Sequence, residues 1–318
     1  MVAGIDEAGY GPLLGPLVVT GVAFEVPDDR LEACLWEQLA ESVTRRPSRR
    51  DLRLPILDSK KLYHRRAGLA SLERSALAAF QSANRVPPTF GELLARIAPN
   101  VLGDMEAYPW YRGLDFDLPV EADPGAVATA ANALRRNARL QGVRLAGVMC
   151  EPLLEGHYNR LVGATRNKAV VLLGQTLRIV QRVIARADGR KVRIIIDRQG
   201  ARAHYVQPLM TSFAQFDLQV LEESPERSAY RLTRPPADCT IEFCTQGEDR
   251  HLAVALASIY SKYLRELFMR GLNAYWHDRV PALRATAGYY TDARRFLQDI
   301  QTALAVAGID RSLLVRSR

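Results

Sequence analysis

The sequence predicts an α/β fold with a mixed β-sheet flanked by helices. Three observations predict it. Short apolar runs bounded by glycine stand at the start of the chain and at residues 192–196, longer stretches of helical periodicity alternate with such runs, and N-cap residues, glycines and prolines mark the joins. At 318 residues, with 48% apolar and 25% charged side chains, the chain has the composition of a globular protein with a sizeable core, not of a disordered one. Its length allows one large domain or two ordinary ones.

Taken in order, residues 1–5 read as a strand ending in Asp6-Glu7. Residues 17–24 form a second strand, the two making a β-hairpin across a Gly/Pro-rich turn. Asp58 or Ser59 caps a helix that runs to about residue 83, with Leu62, Leu69, Leu72, Ala76 and Phe80 on its apolar side. Between about 85 and 140 prolines at 87, 88, 99, 109, 119 and 124 break the pattern. This segment reads as a mainly helical or irregular insertion, with short helices near 90–97 and 124–139. A strand at 143–150, a helix at 167–186 and a buried central strand at 192–196 follow, the last running directly into Asp197. A helix at 205–213, strands near 218–221, 229–232 and 240–244, and a helix at 251–270 stopped by Gly271 come next. Thr291 caps a last helix, stopped by Gly308. Residues 272–318 make a C-terminal helical part.

Several classes are excluded. The uncharged stretch 8–24 is interrupted by Gly9, Gly11, Pro12, Gly15 and Pro16, so it is no membrane helix, and the first charges are acidic, unlike a signal peptide. Cys34, Cys150, Cys239 and Cys244 form no CxxC pair, which argues against zinc and against a disulfide framework; a reduced, cytoplasmic setting is expected. The net charge of +8 suits a polyanionic partner without proving one, because only five of the 43 cationic residues are lysines and base composition can produce such an arginine skew.

The chemistry concentrates in carboxylates. Gly4-Ile-Asp6-Glu7-Ala-Gly9-Tyr10-Gly11 places two acids at a strand end beside glycines that let a ligand approach the main chain. Adjacent acids suit a divalent cation, since hard ions prefer carboxylate oxygens; an exposed acidic turn is the other reading. Asp197 closes an apolar strand, where α/β sheets place ligand sites, although a capping aspartate would look the same. Ser258, Lys262 and Glu266 share one helix face at i, i+4 and i+8, which is also what a solvated Lys–Glu pair looks like.

In order, Asp-Glu with Gly-x-Gly, then Asp58-Ser59-Lys60-Lys61-Leu62, then a strand-terminal Asp, then Ala257-Ser258-Ile259 with Lys262, Arg265 and Glu266, then Gly288-Tyr289-Tyr290-Thr291, resemble the motifs of ribonuclease H type 2. The resemblance covers about 1–83, 143–200 and 240–307. It implies a ribonuclease H-like fold in one catalytic domain spanning 1–318, with the insertion inside it. Asp6, Glu7, Asp197 and Glu266 would be the catalytic, metal-binding carboxylates, holding two Mg²⁺ or Mn²⁺ ions about 4 Å apart. The implied reaction is hydrolysis of RNA in RNA–DNA hybrids, leaving a 3′-hydroxyl and a 5′-phosphate. Substrate contacts would come from Gly9, Tyr10 and Gly11 at the ribose 2′-hydroxyl, Tyr289 on a sugar, and Ser59, Lys60, Lys61 and Lys262 near phosphates. The expected partner is a hybrid or a ribonucleotide-containing duplex, bound by a monomer without any membrane.

Three departures stand out. Tyr10 replaces an arginine of type 2 and a lysine of type 3 enzymes and lacks their charge. Glu266 replaces an aspartate. Between Lys61 and Asp197 lie 135 residues, more than the fold needs. A binding protein with weakened catalysis, or a nuclease with another substrate, are the alternatives these departures leave. Tyr108, Trp110 and Tyr111 in the insertion fit packing onto the host better than stacking on bases. Arg45, Arg46, Arg49, Arg50 and Arg53 form a basic run that suits either a nucleic-acid backbone or a solvated loop.

Overall fold

The computed structural model describes residues 1–48, 50–63, 68–200 and 202–317; Arg49 of the basic run and part of the expected 59–83 helix lie outside them. Strands β1 (Val2–Ala8) and β2 (Leu17–Glu25) open the chain, followed by α1 (Leu35–Gln38), β3 (Val43–Thr44) and β4 (Leu54–Pro55). Next come α2 (Ser59–Leu62), α3 (Ala70–Ala83), α4 (Phe90–Ile97), α5 (Val101–Met105) and α6 (Pro124–Leu140). Then follow β5 (Arg144–Leu153), α7 (Glu155–Thr165), α8 (Lys168–Ala187), β6 (Val192–Asp197) and α9 (Val206–Ser212). The chain closes with β7 (Asp217–Glu223), β8 (Arg227–Arg234), β9 (Ala237–Cys244), α10 (Gly247–Arg250), α11 (Leu252–His277), α12 (Tyr290–Asp299) and α13 (Gln301–Val306).

Seven strands form one mixed sheet in the order β5-β2-β1-β6-β9-β8-β7. The α/β class and mixed sheet expected from the sequence are therefore present. Only β1–β6 and β6–β9 are parallel; the other pairs are antiparallel. Alternate residues of β1 and β2 serve opposite cores, as the period of a strand demands. Val2, Val18 and Val22 join the core under α3 and α11, while Ala3, Ile5, Leu17 and Val19 join the one under α8. Gly4 has no room for a side chain: a Cβ would lie 2.2 Å from the backbone of Ala253 and Val254. Helix α11 thus presses directly onto β1, bringing Ser258 and Ser261 beside Asp6.

Differences from the expected elements have local causes. Helix α11 passes Gly271 and continues to His277, because buried Leu272 and Trp276 extend its apolar stripe and Leu114 packs against Gly271. The last helix breaks at Ile300 into α12 and α13, and its N-cap is Tyr289, not Thr291. Asp58 caps α2 as one of the two expected candidates, its side chain accepting from the Lys60 amide, but α2 ends at Leu62 and α3 starts anew at Ala70. Helices α1, α5, α7 and α10 and the small β3–β4 pair have no counterpart among the expected elements. The insertion is packed down: Tyr108, Trp110 and Tyr111 are buried, with Trp110 against Tyr275 and Trp276 and Tyr111 edge-on to Phe268. Stacking of these rings on bases is thereby excluded.

Candidate active site

Because β1, β6 and β9 run parallel, all three end on the same edge of the sheet, and their carboxyl ends build the site. Asp6 and Glu7 close β1, and Asp197 closes β6. Opposite Asp197 in the register stands Cys244, the last residue of β9, and the turn beyond it delivers Glu248. The Gly247 amide donates to Asp197 Oδ1 at 2.7 Å, tying that turn to β6. Asp6, Glu7, Asp197 and Glu248 line one cavity of about 240 Å³, together with Gly9, Tyr10, Gly11, Ser59, Lys60, Ser258, Lys262, Arg265 and Tyr289. A larger groove of about 570 Å³ along α12 and α13 contains no carboxylate and lies apart from this chemistry.

Burial, and then crowding, raises the proton affinity of Asp6, Glu7 and Asp197. Burial, then the neighbouring Glu7 and Asp197, hold the Asp6 carboxyl well above the ordinary range, against a hydrogen bond from Ser258. Burial and Asp197 push Glu7 up to about 7, with Lys60 opposing. Burial and Glu248 push Asp197 up to about 7, with the Gly247 amide opposing. Burial works against the charge of Lys60, but Asp58, Glu248, Asp6 and Asp197 outweigh it and raise the ammonium. Among the described residues no group of three or more His, Cys, Asp or Glu side chains is already set to hold a metal ion. The donor chemistry nevertheless fits a hard divalent cation, since the acids offer only oxygens and repel one another until positive charge enters.

Solved structures of ribonucleases HII and HIII are similar to this chain. One is the ribonuclease HII of Archaeoglobus fulgidus in complex with PCNA, at 15% identity and a TM-score of 0.43 over 100% of this chain and 94% of that one. The ribonuclease H2 of Pyrococcus horikoshii OT3 matches at 12% identity and 0.44, over 98% and 91% of the two chains. Bst ribonuclease HIII in complex with Mn²⁺ matches at 15% and 0.39, over 96% and 70%. No protein-family pattern and no curated protein matches by sequence.

Glu266 is not part of the cluster. Its carboxylate accepts from Lys262 Nζ at 2.6 Å and from the Tyr63 hydroxyl at 2.8 Å, and it lines a different cavity beside Gly68 and Asn273. The reason is helical spacing: Ser258 faces the end of β1, and Glu266, two turns further, has passed the strand end. Lys61 also turns away, pairing with Asp249 at 2.9 Å, and lines a neighbouring cavity with Trp36, Arg45 and Arg46. The other expected contacts converge. Ser59 is buried 3.0 Å from Ser258 Oγ, Lys60 and Lys262 face the cavity, and Tyr289 offers a ring that is 54% exposed. Gly9 takes φ +89°, a left-handed conformation that side chains disfavour, and a Cβ there would strike the Pro16 carbonyl oxygen at 2.5 Å. Tyr10 brings no charge, yet Lys168 Nζ stands 4.9 Å from its ring centre and returns a cation to the loop.

Sequence reasoning missed Glu248, although the argument that found Asp197 applies to it: it follows a short apolar strand by a few residues. It also missed the buried Glu155 and Arg316 beneath the loop, which no motif signals, and gave the buried Arg265 of the Ser258–Glu266 motif no role.

Proposed function

We propose that the protein is a divalent-metal-dependent endonuclease that cleaves the RNA strand of RNA–DNA hybrids to 3′-hydroxyl and 5′-phosphate ends. The observation that carries this reading is the meeting of Asp6, Glu7, Asp197 and Glu248, from three separate segments, around one cavity beside a lysine and a glycine loop. These four carboxylates would hold two Mg²⁺ or Mn²⁺ ions. Bound there, the ions supply an activated water and neutralise charge at phosphorus and on the leaving oxygen.

The chain's own residues do the rest. Lys60 and Ser59 attract the phosphate, and the main chain of Gly9, Tyr10 and Gly11 senses the ribose 2′-hydroxyl, the group that distinguishes RNA from DNA. Tyr289 presents its exposed ring to a sugar. Glu266 serves by holding Lys262 at the cavity edge, in place of the ligand role its motif implied. Residues 1–318 act as one catalytic unit, with 85–140 inserted in it.

A labelled hybrid incubated with Mn²⁺ or Mg²⁺ tests this. Cleavage should require the metal and vanish in Asp6→Asn. Purified wild type that cleaves no hybrid under any metal condition would sink the reading; tight binding without turnover would mark a binding protein instead. Parallel assays on double-stranded RNA and on DNA with one ribonucleotide define the substrate.

A further inference from the structure

The loop after β1 is gripped from beneath by a side chain remote in sequence. Arg316 follows the single turn Arg311–Leu313 and is 3% exposed. Its guanidinium donates through Nη1 to the Gly9 carbonyl and through Nη2 to the Tyr10 carbonyl at 3.2 Å, while Cζ sits 4.0 Å from the Tyr158 ring centre. Its own amide donates to the Leu13 carbonyl at 2.8 Å. Asn159 holds the same segment from α7, donating to the Ser312 and Val315 carbonyls, without touching the loop.

In a trans peptide the C=O and N–H point in opposite directions. Carbonyls of Gly9 and Tyr10 drawn onto Arg316 therefore aim the amides of Tyr10 and Gly11 away from it. Arg316 does not line the cavity, whereas Gly9, Tyr10 and Gly11 do. Among the described residues neither of those two amides donates to a protein acceptor, and the space beside Gly11 is open. An ordinary staple for a chain segment would fix any convenient carbonyl. This one fixes the two that orient donors at the cavity wall.

We propose that Arg316 is a positioning residue for substrate binding, setting the Gly9–Tyr10–Gly11 main chain so that its amides meet the nucleic acid. The inference rests on the reading of that loop as a ribose contact. Because the same grip acts before and during the chemical step, its loss should weaken binding uniformly, raising KM with kcat little changed.

The test compares wild type with Arg316→Gln, Arg316→Lys and Asn159→Ala. Readouts are kcat and KM on the hybrid, hybrid Kd in EDTA, Tm, and hydrogen exchange at residues 10–13. Arg316→Gln should raise KM and Kd about tenfold and speed exchange of the Tyr10 and Gly11 amides about as much. Arg316→Lys, which keeps the charge but cannot bridge two carbonyls, should show the same direction and remains informative where Gln fails to fold. Asn159→Ala should lower Tm while leaving KM near wild type. Unchanged KM and exchange in the arginine variants, or an equal KM rise in Asn159→Ala, overturns the proposal. Should wild type cleave no hybrid, the functional reading fails by itself, and Kd and amide exchange alone decide the role of Arg316.

Discussion

The Glu248 carboxylate shares a cavity with Asp6, Glu7 and Asp197, whereas that of Glu266 is held between Lys262 and Tyr63, so one substitution at each tells their roles apart. Glu248→Gln keeps size and hydrogen bonding but removes a charge from the cluster. Losing an outer-shell partner of a metal typically costs 10–100-fold, so losing a direct ligand should lower kcat by about a hundredfold or more. Glu266→Gln should leave kcat within a few-fold, its effect confined to KM through a less restrained Lys262. Steady-state kinetics on one hybrid at saturating Mn²⁺ decide between them, and a kcat loss larger in Glu266→Gln than in Glu248→Gln would restore Glu266 to the cluster. The motif misled here for a geometric reason. Three residues on one helix face need not face one cavity when the helix is 26 residues long and its partner strand has ended.

At the scale of elements, a buried carboxylate of α3 is one of the groups that fasten the insertion, beside Arg135 of α6, which donates to the Ser82 carbonyl. Glu73 is fully buried and accepts the amides of Val120, Glu121 and Ala122, at 2.7, 2.7 and 2.8 Å, and the Tyr263 hydroxyl at 2.7 Å. Removing it leaves the buried Ala122 amide, two partly buried amides and a buried hydroxyl without their acceptor, so Glu73→Ala should destabilise the fold by about 3 kcal/mol. Urea unfolding measures this; a change below about 0.5 kcal/mol, the size of an ordinary surface substitution, would show that the fastening carries no weight. Strands and several helices were legible because period and punctuation are local: α4 covers 90–97 as read, and β6 covers 192–197 against the 192–196 read. The path of the insertion was not, because Glu73 lies 47 residues from Val120 and nothing in either segment names the other. The same holds for Arg316 and Gly9.

For the molecule as a whole, the sequence revealed three of the four clustered acids but not the electrostatic state they share, which exists only once the strands meet. That state links stability to pH and metal. In the metal-free fold Asp6, Glu7 and Asp197 hold protons well above the unfolded range, the latter two up to about 7. Between about pH 4 and 7 the folded state therefore binds more protons than the unfolded one, and stability falls as pH rises through that window. Glu155, pushed by burial to about 7 as well, adds a slope of the same sign that no metal in the cluster can remove. The diagnostic quantity is accordingly the difference with and without ion. Mn²⁺ must displace protons to bind at pH 5 but meets ionised acids at pH 8. At a fixed concentration a hundredfold above its pH 8 Kd it should stabilise the protein by about 2.7 kcal/mol at pH 8 and by far less at pH 5, where Kd is higher. Asp197→Asn should unfold at higher urea than wild type at pH 8 without metal, because a repelling charge is gone, and should respond weakly to Mn²⁺. Equal Mn²⁺ stabilisation at both pH values, or a full response in Asp197→Asn, would place the metal elsewhere than at these strand ends.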